Sequence, residues 1–392
     1  MRLPPALAAF FVLIAGLHAG SGSAQWNEDV LQRVFEAAME QLAAGNAAQA
    51  ERILTELNKR VPSARVKLEL ARALYAQGKF EEARALFREV SSQTDTPWRV
   101  RDNIERFVAV IEERTGYLRW GATVVSDTNP KSVPAQKEFA IGDLSVTPTE
   151  APEKRTGVRY SIQGWKPLSA STGAYGAAAY ADFPRGDMDR LTVDGGLVTR
   201  LDESGRLRAK AGLEAGSFAG ELLYAYPHLG LDTVLHEDAL HRVAAEGRVG
   251  AVHFPDFRYL DATNVTAAVS VSRAVSRHAS ASLRAALEHS EAAERPYSYG
   301  GLDVDAGFSV LLPDSAFVLT ASTSLGSRDY AEADPLFGAV RKDRKARAEI
   351  RIGNKNWRWR DKTISLLASL EKNDSSIGFY SYRKTSVSLL VE

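Results

Sequence analysis

The chain contains no cysteine among its 392 residues, which excludes disulfides, cysteine-ligated zinc, thiolate nucleophiles and an N-terminal lipidated cysteine. It has no excess charge of either sign. Its 49 lysines and arginines balance 49 aspartates and glutamates, so bulk electrostatics draw it neither to nucleic acid nor to an anionic membrane surface. Beyond Gln25 there is no apolar run of the ~18–20 residues a spanning helix needs, and hence no transmembrane helix. Methionine is scarce, at three residues, while 29 glycines stand against 15 prolines, a mixture suited to strands and turns. A hydrophobic fraction of 45% and a charged fraction of 25% describe an ordinary folded chain, not a helical membrane bundle or a disordered tail.

What is present begins with an address. Arg2 precedes an apolar stretch from Ala6 to Leu17, and Gly22-Ser23-Ala24 then offers small residues before Gln25. This predicts a secretory signal peptide over 1–24, with cleavage after Ala24, and places the mature protein beyond the inner membrane of a bacterium.

From Asn27 to Gln93 the sequence nearly repeats at a spacing of 33: Phe35 with Leu68, Leu42 with Tyr75, Gly45 with Gly78, Ala50 with Ala83, Leu54 with Phe87, and Leu57 with Val90. Paired helices of that period, with glycine at the turn and alanine where helices cross, form the tetratricopeptide pattern, and two units are expected. A third helix from Pro97 to about Thr115 should cap the stack through Val100, Ile104, Phe107, Val108 and Ile111. Residues 25–115 thus form a helical domain, either a packed spacer or a peptide-binding groove whose candidate residues are Arg65, Arg72 and Tyr75.

At Gly116 the hydropathic period changes from about 3.6 to 2 and stays there to the end. In 205–216, Leu207, Ala209, Ala211, Leu213 and Ala215 alternate with Arg206, Arg208, Lys210, Gly212 and Glu214. About fourteen such strands are expected, near 117–125, 157–165, 174–183, 189–199, 205–216, 220–227, 240–253, 263–272, 277–288, 297–311, 315–326, 343–353, 362–371 and 381–392. Many are close to the ~9–11 residues that cross a bilayer as a tilted strand. Long connections, such as 126–156 and 327–342, follow odd strands and short ones follow even strands, with 228–239 as an exception. The expected fold is therefore α plus transmembrane β: a short tetratricopeptide domain, then a 14-stranded antiparallel outer-membrane barrel over 116–392, with the helical domain in the periplasm. A soluble sandwich is disfavoured because its strands are usually nearer 5–6 residues. The polar parity would line a hydrated lumen of mixed charge with Arg159, Arg208, Lys210, Glu214, Arg248 and Arg284, continuing through Asp303, Asp305, Arg347, Glu349 and Arg351.

Several strings add a resemblance. Thr96-Pro97-Trp98-Arg99-Val100-Arg101-Asp102-Asn103-Ile104, Ser126-Asp127-Thr128-Asn129-Pro130, Arg341-Lys342-Asp343, and Ser375-Ser376-Ile377-Gly378-Phe379-Tyr380-Ser381-Tyr382-Arg383 occur in that order. Together with the order of domains they resemble the surface lipoprotein assembly modulator (Slam) family. The resemblance implies a periplasmic tetratricopeptide domain that captures a client, and a barrel that moves it to the cell surface. The implied partners are a client surface lipoprotein or soluble exported protein, outer-membrane lipids and the barrel-insertion machinery, with no nucleic acid. The periplasm lacks ATP and the chain lacks a Gly-x-x-x-x-Gly-Lys loop, so such transport would run on binding and on client folding outside. The seam between the first and last strands offers one route by strand addition. A passive porin-like channel with a periplasmic docking domain is the alternative.

Other motifs carry little chemistry. His236-Glu237-Asp238-Ala239-Leu240-His241 lacks the second histidine of His-Glu-x-x-His, and Gly216-Ser217-Phe218-Ala219-Gly220 places serine one position early for a nucleophile elbow. His253, His278 and His289 are the remaining candidates for hydrolytic chemistry, so no enzyme activity, cofactor or metal is expected. Arg185-Gly186-Asp187 reads as a polar hairpin connection. Trp357 and Trp359, with Tyr117, Trp120, Trp165 and Tyr382, are expected in aromatic girdles at the membrane interface.

Overall fold

The computed structural model of the protein describes residues 28–93, 96–134, 136–141, 144–148, 150–184, 186–360 and 362–392. The predicted signal peptide, 1–24, lies outside the described residues. The chain divides into two compact units, one ending at Thr115 and the other beginning at Gly116.

The first unit contains helices α1 (Glu28–Ala43), α2 (Ala47–Arg60), α3 (Ala64–Ala76), α4 (Phe80–Ser92) and α5 (Trp98–Thr115). The 33-residue repeat is visible atom by atom. Gly45 and Gly78 sit at equivalent turns with φ of +80° and +77°, a conformation in which a side chain would be strained. Ala50 and Ala83 are wholly buried at equivalent helix crossings, as are Leu54 and Phe87 deeper in the same core. Ile104 and Ile111 of α5 complete this core, with Val100, Phe107 and Val108 packed against it. No helix among the described residues is long and apolar enough to cross a membrane.

The second unit is a closed antiparallel barrel of fourteen strands. Its strands are β1 (Tyr117–Asp127), β4 (Arg155–Pro167), β5 (Thr172–Asp182), β6 (Arg190–Arg200), β7 (Leu207–Phe218), β8 (Glu221–Glu237) and β9 (His241–Val252), continuing with β10 (Ala262–Ser276), β11 (Ala279–Ala292), β12 (Tyr299–Leu312), β13 (Phe317–Ala333), β14 (Val340–Trp359), β15 (Lys362–Ser375) and β16 (Tyr382–Val391). A separate hairpin, β2 (Phe139–Ile141) with β3 (Leu144–Val146), stands in the connection between β1 and β4. Each strand pairs with its chain neighbour, and β1 closes the cylinder by pairing with both β4 and β16.

The outer face is apolar. Leu118, Leu213, Leu229, Leu287, Ile350 and Leu370 are each more than half exposed, which in water would be an aggregation surface and against lipid tails is the stable arrangement. The barrel is thus of the outer-membrane type. Its connections separate by length: those of the β1–β4 end span 128–154, 253–261 and 376–381, while the opposite end turns at 238–240, 277–278 and 313–316.

Three expectations need correction. Residues 228–239 are not a loop, because β8 runs unbroken to Glu237, and the exception to the length pattern is instead the two-residue turn Ala219-Gly220. The 327–342 connection shrinks to 334–339, since β13 and β14 extend beyond their expected ends. Tyr117, Trp165 and Tyr382 fall on the lumen parity rather than in an outer girdle: Tyr117 pairs with Trp165, Trp165 pairs with Tyr175, and Tyr382 donates to Glu371 at 2.8 Å. Trp120 and Trp359 do face outward, in edge contact at 6.3 Å between ring centroids.

Candidate functional site

Directly opposed residues of an antiparallel pair share a face, so the register alone sorts the lumen from the lipid side. Arg208, Lys210 and Glu214 of β7 lie opposite Asp232 and Tyr226 of β8 or on the same parity, against outward Leu213 and Leu229. Arg248 follows through Gly230, and Arg284 pairs with Asp305. Asp303 pairs with Gly326, whereas Arg347, Glu349 and Arg351 oppose Ser324, Ser322 and Thr320. Arg159, opposite Thr123, continues the same inward parity across the seam.

The structure joins six of these eleven residues into three ionic groups and leaves others apart. Arg284 bridges Glu246 at 2.6 Å and Asp305 at 3.5 Å, while Arg208 and Lys210 share Asp232 at 2.6 and 2.9 Å. Glu371 is a hub: Lys345, Arg347 and Lys384 lie within 3.5 Å of its carboxylate, and the Tyr382 hydroxyl donates to it. Arg351 instead pairs with Glu392 at 2.7 Å. Glu371, Lys345 and Lys384 stand on the polar parity and were legible on that signal. Arg328 and Arg341 were not, because they fall in the stretch expected to be a loop.

Arg341 forms the centre of a second arrangement at the long-loop end. Its guanidinium lies 3.6 Å from the Tyr380 ring centroid and 4.6 Å from that of Tyr330, and a fork of hydrogen bonds holds it to Asp343 at 2.7 to 3.1 Å. Tyr380 donates to Asp334 at 2.7 Å, and burial with this bond pushes its hydroxyl pKa up. Phe379 packs edge-on to Phe139, at 5.4 Å, linking the β15–β16 connection to the β2–β3 hairpin. Asn129, almost wholly buried, holds the first turn of the 128–154 loop by donating to Val133 and to the Arg383 carbonyl at 2.8 and 3.2 Å. Strings far apart in sequence, 126–130, 341–343 and 375–383, thus meet over one end of the β1–β16 seam.

The same loop is tied to the β5–β6 connection and the start of β6. Lys131 bridges Glu150 at 2.7 Å and Asp187 at 3.5 Å, and Arg190 donates to the Pro130 carbonyl at 3.2 Å. Asp187 is held well below the usual carboxylate range by the Arg155 guanidinium, 2.7 Å away. Below the loop is a cavity of about 950 Å³, bordered by Arg190 and Phe218 on one wall and by Arg328 and Lys345 on the other. A neighbouring cavity of about 660 Å³ shares Arg328 and Arg341 with it.

The seam itself is the weakest ladder. β1 and β16 pair over six residues, Ala122–Asp127, whereas the other ladders of the barrel carry nine to fourteen pairs. The β16 ladder thus stops at Ala122, while β4 pairs with β1 from Tyr117 onward. In that gap the Lys362 ammonium donates to the Trp120 carbonyl at 2.7 Å, a side chain standing where a backbone donor would be.

The remaining candidates stay separate. Asp238 accepts from the backbone N–H groups of Leu240 and His241, both at 2.7 Å, which with His236 holds its pKa well down and makes 236–241 a capped turn. His289 lies on the outward parity with Leu287, His278 stands in a two-residue turn and His253 faces Asp261 at 3.5 Å. Among the described residues no group of three potential metal ligands forms. Arg185 lies outside the described residues, and Asp187 beside it is engaged by Arg155 and Lys131. In the helical unit, Arg65 covers the Phe35 ring at 4.4 Å and Arg72 pairs with Glu69, while Tyr75 is spent on packing between Phe80 and Phe107.

Comparison with known proteins agrees with this division. The tetratricopeptide repeat family matches residues 41–99, and a family described as a protein of unknown function (DUF2860) matches residues 261–391. No match to a curated protein was found. Among solved structures, the chain is similar to the outer membrane channel DcaP of Acinetobacter baumannii, at 13% identity and a TM-score of 0.40 over 71% of this chain and 97% of that one. It is also similar to Pseudomonas aeruginosa OprD, at 8% identity and a TM-score of 0.39 over 71% and 94%. An anion-selective porin from Comamonas acidovorans gives 10% identity and a TM-score of 0.38 over 70% and 98%. At these values the likenesses carry no argument about function.

Proposed function

We propose that this chain is an outer-membrane translocator of the kind its resemblance to the Slam family implies. The helical unit, in the periplasm, captures a client lipoprotein or soluble exported protein, and the barrel delivers it to the cell surface. The observation that carries this reading is the six-pair seam between β1 and β16, the shortest ladder of the barrel. β16 stops short of Tyr117–Gly121 at the short-turn end, where the chain enters the barrel, so an extended client segment arriving there would add to the β1 ladder by displacing Lys362 from the Trp120 carbonyl. Displacing six pairs is also the smallest disruption that opens this cylinder.

The cysteine-free sequence makes the test direct. Val124 and Leu389 are opposed across the seam, and Leu197 and Ala211 across β6 and β7. The pair Val124→Cys with Leu389→Cys, oxidised in cells carrying the client, should block surface display reversibly with reductant, while Leu197→Cys with Ala211→Cys should leave display intact. Equal display in both locked proteins would overturn the seam route. Deleting 25–115 should abolish display with the barrel still inserted. The alternative, a passive channel, draws on the hydrated lumen with its two cavities; a large steady conductance in planar bilayers without client movement would favour it.

A further inference from the structure

The register that assigns the lumen also assigns the outer wall, and positive charge on that wall is unevenly spread. Among the described residues of β1 and β4 to β13, the outward lysines and arginines are Lys166 and Arg273, both near the short-turn end. β14, β15 and β16 instead carry Lys342, Arg344, Lys372 and Arg383 outward, all toward the long-loop end. On the same parity, toward mid-barrel, come Ile350 on β14, Leu370 on β15 and Val387 on β16, each more than half exposed. The cations thus stand just past the apolar belt. At the long-loop ends of β1, β4 and β10 the outward residues are Ser126, Thr156 and Thr263.

This cluster holds more cations than acids. Arg344 pairs with Asp329 at 3.1 Å and Lys372 pairs with Asp374, whereas among the described residues neither Lys342 nor Arg383 has a carboxylate partner. Both are exposed. Lys372 and Arg383 are moreover direct partners across the β15–β16 ladder, and like charges opposed in this way repel. An anion shared between the strands would relieve that repulsion. In a bilayer, long cationic side chains just past the belt extend their heads to the level of the lipid phosphates.

We propose that the outer wall of β14–β16 binds lipid A, the bisphosphorylated disaccharide lipid of the outer leaflet. Long loops mark the outward end of such barrels, which puts the cluster in the leaflet where that lipid resides. Arg383 with Lys372 takes one phosphate and Lys342 with Arg344 the other, through charge-assisted hydrogen bonds, while acyl chains lie against Ile350, Leu370 and Val387. Two strand spacings, roughly 10 Å, separate β14 from β16, so a lipid with a single phosphate engages one side of the cluster at a time. The site needs the barrel to lie in an outer membrane and is independent of the translocator reading.

The test titrates the purified, delipidated full chain in detergent with lipid A, its monophosphoryl form and phosphatidylglycerol, and counts bound lipid by native mass spectrometry. Lipid A should bind at least tenfold more tightly than either of the others. Lys342→Gln with Arg383→Gln should weaken it at least tenfold, and Lys342→Arg with Arg383→Lys should retain most of the affinity. Lys166→Gln with Arg273→Gln removes the same charge from the opposite rim and should bind as wild type. Heat-modifiable migration on gels verifies that each variant keeps the barrel. Equal affinity for lipid A and phosphatidylglycerol would assign the cluster to anionic lipid in general and overturn the proposal. So would no binding by wild type, an unchanged affinity in the folded Lys342→Gln, Arg383→Gln protein, or an equal loss in the opposite-rim variant.

Discussion

The two units are built from the same aliphatic residues sent in opposite directions. In the helical unit Leu54, Phe87 and Ile111 disappear into a core, while in the barrel Leu229, Leu287 and Leu370 point away from the protein and the charged residues point in. The difference teaches that hydrophobic periodicity, not hydrophobic content, decides where a side chain ends. Three- and four-residue steps let several helices close over a shared stripe, whereas alternate residues of a closed sheet must choose between a lumen and a lipid.

That contrast can be broken most strongly at the helical core. Phe87→Ala should remove about 3–5 kcal/mol from the helical unit, seen as an early transition in far-ultraviolet circular dichroism, with the barrel's heat-modifiable gel shift unchanged. The converse change is Leu287→Arg on the outer face, which should cost about 2–4 kcal/mol of insertion free energy, measured by urea titration in vesicles, if that position faces the bilayer midplane. Leu287→Ala should cost far less than Phe87→Ala, and equal losses would end the inside-out account. In the lumen, Glu371→Gln should cost about 1–3 kcal/mol and shift reversal potentials toward anion preference, because Lys345, Arg347 and Lys384 lose their shared carboxylate.

The smallest effect is expected at the loop clamp. The depressed pKa of Asp187 means that its stabilisation is complete above the ordinary carboxylate value of about 3.9 and is lost only as pH falls through the lower folded-state value. Protease cleavage within 128–154 should therefore be constant from about pH 8 to 5 in the wild type, and faster at every pH in Asp187→Asn. A rise in wild-type cleavage already at pH 6 would assign the clamp to another group.

Much of this architecture was legible in residue order. The pairs Gly45 with Gly78 and Ala50 with Ala83 announced two helical repeats, and the parity of Arg208, Lys210 and Glu214 announced a face. Strand ends were less legible, because β8, β13 and β14 continue past the point where hydrophobic alternation fades. There the backbone ladder, which leaves no mark in composition, carries the strand onward. Arg328 is missed for that reason, and Arg341 is found only as part of a string and not as a lumen residue, while Tyr117, Trp165 and Tyr382 stand on the lumen face because aromatic residues suit both a lumen and an interface.

The sequence by itself determined the two kinds of element and where one gives way to the other, since both follow from local spacing and need no knowledge of partners. Only the tertiary structure decided that β1 and β16 meet over six residues, and that Asn129 reaches Arg383 and Arg341 reaches Tyr380. Those outcomes depend on how a cylinder closes, and closure joins residues separated by most of the chain, a distance over which neighbouring side chains carry no information.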